Sequence, residues 1–260
     1  IMVEWLAGNR IRGTSTERTS TSGFNPVTTV TGGWKEVGRT TLGSAGDTID
    51  VSSLPDKRYY MLLIDGVSSG VANTSLRFNG DSGNNYAKRR SHNGLSDSTA
   101  VNQTSTNTDG FTSRENFDVA YVSNLASKQK LIIRHTVDRG TAGAGNTADR
   151  VEIVSKWANT SDAIDQITVT NTLAGDLASD SELVVLGWDP DDTHTTNFWE
   201  ELADVSWTSG STFATPTFTA KKYLWIQMYK AGTASSNISC RLNFNDDTSS
   251  VYNRRLSANG

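Results

Sequence analysis

Short runs that alternate apolar and polar residues recur along the 260-residue chain, separated by Gly, Asn, Asp and Ser. A period of two is the mark of half-buried strands. Thr48–Val51, Leu76-Arg77-Phe78 and Phe117–Val122 alternate in this way. Tyr59–Ile64 is instead continuously apolar and is closed by Asp65-Gly66, which predicts a central strand buried on both faces. Leu131–Val137 predicts another strand, with Arg150–Trp157 as its hairpin partner across the loop Arg139–Asn146. Ile164–Thr170 and Glu182–Leu186 complete the unit, which matches one sandwich of jelly-roll size. No amphipathic helix of three turns is predicted. Short helical pieces are expected only at Asn124–Ser127 and Phe198–Leu202.

Composition supports this pattern. Ser and Thr make up about a quarter of the chain, and both disfavour helix interiors. A single Cys excludes an internal disulfide framework and a Cys-based zinc cluster. The net charge of -4 argues against a nucleic-acid partner. No run of 18 apolar residues is present, so no membrane insertion through a helix is expected. Ile1–Leu6 lacks the basic start and apolar run of a signal peptide.

The most informative feature is self-similarity. Residues 76–94 read LRFNGDSGNNYAKRRSHNG and residues 242–260 read LNFNDDTSSVYNRRLSANG. Without a gap, Leu76, Phe78, Asn79, Asp81, Tyr86, Arg89, Ser91, Asn93 and Gly94 recur as Leu242, Phe244, Asn245, Asp247, Tyr252, Arg255, Ser257, Asn259 and Gly260. Upstream, Trp34-Lys35-Glu36 matches Trp199-Glu200-Glu201. Lys57-Arg58-Tyr59 matches Lys221-Lys222-Tyr223, ahead of a second apolar run, Leu224–Met228. The expected organisation is all-β: tandem jelly-roll-like β-sandwiches with an extended N-terminal arm, 1–33. The first domain is 34–188, the linker 189–198, and 199–260 the first half of a second, homologous domain. Half a sandwich cannot cover its own core or pair its edges. Either the sequence is part of a longer protein, as its start at Ile1 also hints, or another subunit completes that half. Residues 95–116 are expected to form a long polar insertion.

Candidate chemistry is sparse. His92, His135 and His194 have no metal-ligand spacing, and His92 becomes Ala258 in the second copy. Cys240 is expected to be a small core residue. Asn79 and Asp81, with their counterparts Asn245 and Asp247, superficially resemble the start of a calcium loop but lack its bidentate Glu. The reading favoured for them is an Asx turn at a strand end. Gly143-Ala144-Gly145-Asn146 lacks the Lys of a phosphate-binding loop. Tyr86 with Arg89 and Tyr252 with Arg255 keep a spacing of three in both copies, and are read as bracing the Asn-Gly turn or as a subunit contact. Trp5 and Leu6, on an arm with no domain to bury them, are candidate subunit contacts too. No catalytic residue and no cofactor is expected.

Three blocks carry a resemblance. One is residues 76–94, with a strand, Phe-Asn-x-Asp, Tyr, Arg and Asn-Gly. The second runs from Lys128-Gln129-Lys130 through Gly143-Ala144-Gly145-Asn146 to Trp157-Ala158-Asn159-Thr160. The third runs from Ile167-Thr168-Val169 through Ser181-Glu182-Leu183 to Gly187, with Asp180 where Gly is usual. Together they resemble virion structural proteins of marine tailed phages and related environmental viruses. The resemblance implies a non-enzymatic capsid-decorating, tail or fibre component, located in the virion or outside cells. Its partners would be copies of itself and other virion proteins. The alternatives are a subunit of an extracellular filament or surface adhesin, and a carbohydrate-binding module. The last would need exposed rings, for which Trp157, Trp188, Trp207 and Trp225 are candidates, toward a host-surface glycan.

Overall fold

The computed structural model describes residues 30–31, 33–108, 110–112, 114–194, 197–206, 210–228 and 241–254. Among them are sixteen strands and no helix. In chain order these are β1 (Val30–Thr31), β2 (Lys35–Thr41), β3 (Thr48–Val51), β4 (Tyr59–Val67), β5 (Val71–Ala72), β6 (Ser75–Phe78), β7 (Tyr86–His92) and β8 (Ser98–Gln103). There follow β9 (Thr106–Asn107), β10 (Phe111–Thr112), β11 (Glu115–Ser123), β12 (Lys130–Asp138), β13 (Asp149–Trp157), β14 (Ile167–Thr170), β15 (Glu182–Trp188) and β16 (Thr193–His194). Two antiparallel sheets dominate: eight strands in the order β2-β15-β4-β11-β12-β13-β7-β8, and four in the order β3-β14-β6-β9. Short pairs β1–β16 and β5–β10 sit beside them.

Both sheets feed one buried cluster. The small sheet contributes Ile49, Val51, Leu76, Phe78, Ile167 and Val169. The large sheet meets them with Tyr60, Leu62, Ile64, Ala120, Val122, Ile132, Trp157, Leu183 and Val185. The large sheet also has an apolar outer face, where Met61, Leu63, Val184 and Leu186 form a second buried cluster with Trp34. This is why β4 and β15 read as continuous apolar runs: both faces of each strand are buried.

One end of the inner layer is polar. Arg134 and Asp118 are fully buried and paired. The guanidinium also donates to the Thr74 carbonyl at 2.9 Å, the Thr106 carbonyl at 3.2 Å and Thr74 Oγ1 at 2.5 Å. These bonds tie β12 to the opposite sheet. A buried charge needs such partners, because desolvation otherwise exceeds the Coulomb gain.

Three expectations change. Residues 95–116 are no simple insertion: they hold β8, β9 and β10, and β2 and β7 are strands as well. The large sheet is wider than the small one, so β8 is largely exposed and carries no alternating apolar signal. Asn124–Ser127 is not helical but runs into a turn closed by Lys128 N–H to the Leu125 carbonyl at 3.0 Å. Asn124 itself bridges segments, accepting from Ile164 N–H and donating to the Lys57 carbonyl. Phe198–Leu202 is not helical either. Its backbone is drawn onto the large sheet, with Phe198 N–H donating to the Trp34 carbonyl at 2.8 Å.

Candidate interaction surfaces

The repeated motif builds a specific turn. Asn79 and Gly80 take positive φ, 51° and 66°, which reverses the chain after β6. Asp81 N–H donates to the Phe78 carbonyl at 2.9 Å, and Gly83 N–H donates to Asp81 Oδ1 at 2.8 Å. The Tyr86 hydroxyl accepts the Phe78 N–H at 3.0 Å. Asp81 Oδ2 accepts the indole N–H of Trp157 at 2.6 Å, and Asn85 also donates to this carboxylate. This Asx-turn geometry fills the carboxylate with N–H donors. The Asn79 side chain likewise joins the Ala163–Gln166 segment, accepting from Asp165 N–H and donating to the Ala163 carbonyl.

The second copy repeats three of these bonds. Asn245 and Asp246 have φ of 54° and 56°. Asp247 N–H reaches the Phe244 carbonyl at 3.0 Å, Ser249 N–H reaches Asp247 Oδ1 at 2.9 Å, and the Tyr252 hydroxyl accepts the Phe244 N–H at 2.8 Å. The surroundings differ. Phe78 and Tyr86 are buried, whereas Phe244 and Tyr252 are 48% and 40% exposed.

Upstream parts of the two copies meet on the outer face of the large sheet. Trp34 and Trp199, Tyr59 and Tyr223, and Met61 and Trp225 are matched pairs, and all six side chains belong to the outer cluster. Tyr223 stacks on Phe117 at 5.9 Å, and Trp199 meets Trp225 edge-on at 5.4 Å. The leaders pair too: Val30 opposes His194 and Thr31 opposes Thr193. Glu182 anchors the contact. It accepts from the Tyr223 hydroxyl at 2.7 Å, Thr41 Oγ1 at 2.7 Å, Arg39 at 3.0 Å and Lys222 at 3.2 Å. Burial opposes its ionisation, but these hydrogen bonds and the Arg39 charge outweigh that and lower its pKa to about 2. Leu224, Ile226 and Met228 match the core residues Tyr60, Leu62 and Ile64, and are close to half exposed.

The rest of this outer face is open. On β12 the usual order is inverted: Lys130, Arg134, Thr136 and Asp138 are buried, while Leu131, Ile133 and Val137 face outward. Tyr121, Ile133 and Val154 lie opposite one another on neighbouring strands and form an exposed apolar row.

Other candidates separate. Arg89 pairs with Asp97 at 3.3 Å on the surface. The Asn93-Gly94 turn is held instead by β13, with Arg150 N–H to Asn93 Oδ1 and Asn93 Nδ2 to Asp149. His135 is exposed beside Glu152. His92 lines a cavity of about 60 Å³ with Thr108, Arg114, Asn116, Thr136 and Asp138. That is room for about two waters, against roughly 300–1,000 Å³ in small-ligand pockets. Trp5, Leu6, Trp207, Cys240 and Arg255 lie outside the described residues. Trp157 is buried, Trp188 stacks on Tyr59 at 5.1 Å, and Trp225 is drawn into the outer cluster. Sequence reasoning missed Glu182 as an anchor and Trp157 as the partner of Asp81. The repeat pointed to Asp81, but nothing local pointed to a donor 76 residues away. No protein-family model matches this chain, and no match was found among curated proteins or solved structures.

Proposed function

We propose that this chain is a non-enzymatic structural protein that assembles in many copies, as a capsid-decorating, tail or fibre component of a phage virion. In this reading its units are tandem jelly-roll-like β-sandwiches, 34–188 and 199 onward, with 1–33 as an arm that reaches a neighbouring subunit. The observation that carries the reading is the outer face of the large sheet. Half of it is covered by the second copy through Trp199, Tyr223 and Trp225, and half is open through Leu131, Ile133, Val137 and Val154. A strand that turns three of its four aliphatic side chains outward, and Lys130, Arg134 and Asp138 inward, is suited to be covered. Charges bracket the open row: Glu152 and Lys156 stand two residues either side of Val154, so a two-fold contact there would set opposite charges against each other.

Sedimentation velocity of the chain tests the assembly. A multi-copy species is expected, shifted toward monomer by Ile133→Glu with Val154→Glu. A monomer at every concentration overturns it. Labelling of source particles with an antibody raised against the chain tests the virion setting, and absence from particles overturns that part alone.

A further inference from the structure

In the first copy the repeated turn receives one side chain. Trp157 lies against Phe78, with ring centroids 5.7 Å apart, and stacks on Tyr86 at 6.3 Å and 15°. Its indole N–H ends on Asp81 Oδ2. The strand register sets Trp157 directly opposite Tyr86, so backbone pairing and ring packing enforce each other. The second copy holds the same Phe, Asp and Tyr in the same bonded frame. Among the described residues no tryptophan stacks on Phe244 or Tyr252, and both bonds to the Asp247 carboxylate fall on Oδ1. Oδ2 corresponds to the atom that takes the indole in the first copy.

We propose that residues 242–254 form a binding site for an added β-strand that carries a tryptophan, of the kind Arg150–Trp157 presents. The complementarity has three parts. The backbone of Tyr252–Arg254 pairs with the incoming strand, as the start of β7 pairs with β13. Phe244 and Tyr252 provide the ring faces, and pairs of this kind favour offset stacking or tilted contact. Asp247 accepts the indole N–H, a charge-assisted bond stronger than a neutral one. Charge narrows the partner further. Asp246 replaces Gly80, so the second site carries one more acidic residue than the first and suits a strand of net positive charge, as Arg150–Trp157 has. The inference goes beyond multi-copy assembly, because it rests on the repeated turn and not on the outer sheet face.

The test titrates the intact chain with a synthetic peptide of sequence RVEIVSKWANT, its tryptophan replaced by 5-fluorotryptophan and followed by fluorine NMR. A saturable shift of the indole resonance is expected. Unlabelled peptide should compete, a peptide with Leu in place of Trp should compete about tenfold or more weakly, and Asp247→Ala in the chain should weaken binding by a similar factor. Since Asp247→Ala also removes a turn bond, the Leu peptide is the arm that leaves the protein untouched. No saturable shift at millimolar peptide overturns the proposal, as does equal competition by the Leu peptide or unchanged binding to Asp247→Ala. Sedimentation of the same samples separates the two readings. A multi-copy chain that ignores the peptide sinks only this site, and a monomer that binds it sinks only the assembly.

Discussion

Residues 78–86 and 244–252 form the same turn with three hydrogen bonds in common, yet one lies beneath Trp157 and the other stands half exposed, with no strand beside it among the described residues. The difference separates what nine residues encode from what the rest of the fold must supply. Left-handed Asn, the capping Asp and the Tyr hydroxyl act within the segment, and they appear in both copies. Strand pairing does not. β6 is a strand because β14 and β9 flank it, and β7 because β13 and β8 do. Among the described residues of the second copy, the counterparts of β6 and of the start of β7 have no flanking strand. An unpaired strand has no ladder to hold it.

The largest test of this contrast removes the distant partner. Trp157→Ala deletes a buried ring and leaves a cavity, so urea unfolding should reveal a loss of about 3–5 kcal/mol. The second turn, which has no such partner among the described residues, should keep its local geometry in that variant, read from the Tyr252 and Phe244 NMR signals. Tyr252→Ala should change global stability by no more than about 0.5 kcal/mol. Comparable losses from the two substitutions would mean that the second copy has a core of its own.

A smaller change tests the shared bond itself. Tyr86→Phe leaves the buried Phe78 N–H without its acceptor and should cost about 1–3 kcal/mol. Tyr252→Phe removes the same bond where water can replace it, so the cost should be a few tenths of a kcal/mol at most. The same urea experiment reads both, and equal costs would break the contrast.

What was legible in the sequence follows the same division. Leu131–Val137 and Arg150–Trp157 were recognisable as a hairpin because alternation is local, and the structure pairs them along their length. Which face points inward was not legible. Hydrophobicity would bury Leu131 and Ile133, but β12 buries Arg134 because Asp118 and the carbonyls of Thr74 and Thr106 await it from other strands. β8 gave no signal, since an edge strand wetted on both faces needs no apolar period. The Asp81 turn was visible through its repeat, whereas the Trp157 that completes it and the Glu182 anchor belong to contacts between remote segments. Such contacts leave no mark in a single sequence.

The smallest effect concerns how the second copy is held. It touches the first through its outer-face residues and through Asn253, which bonds Asn146 and Ala148, and Glu182 is a buried acid in the outer-face contact. Its pKa is lowered to about 2, because hydrogen bonds from Thr41, Tyr223 and Lys222 and the Arg39 charge outweigh the burial that would raise it. A depressed carboxyl contributes stability that is complete above its ordinary value of about 4.3. That contribution fades as pH falls and is lost once the folded-state value of about 2 is passed. Between those limits, residues 221–225 should loosen from the sheet, because the Glu182 carboxylate joins Tyr223 and Lys222 to Thr41 and Arg39. Hydrogen exchange at Tyr223–Trp225 should therefore rise as pH drops through this window, after correction for intrinsic exchange. Glu182→Gln should show raised exchange already at neutral pH and no further acid step. By linkage the full shift would be about 3 kcal/mol; solvent screening of the partly exposed Arg39 and Lys222 reduces this to about 1 kcal/mol of docking free energy, the scale of hydrogen bonds and partly exposed ion pairs. If the acid step survives in Glu182→Gln, the carboxylate is not what fastens one copy to the other, and the stacked rings of Phe117, Tyr223, Trp199 and Trp225, with the Lys222–Asp65 ion pair and the Asn253 bonds, hold the contact without it.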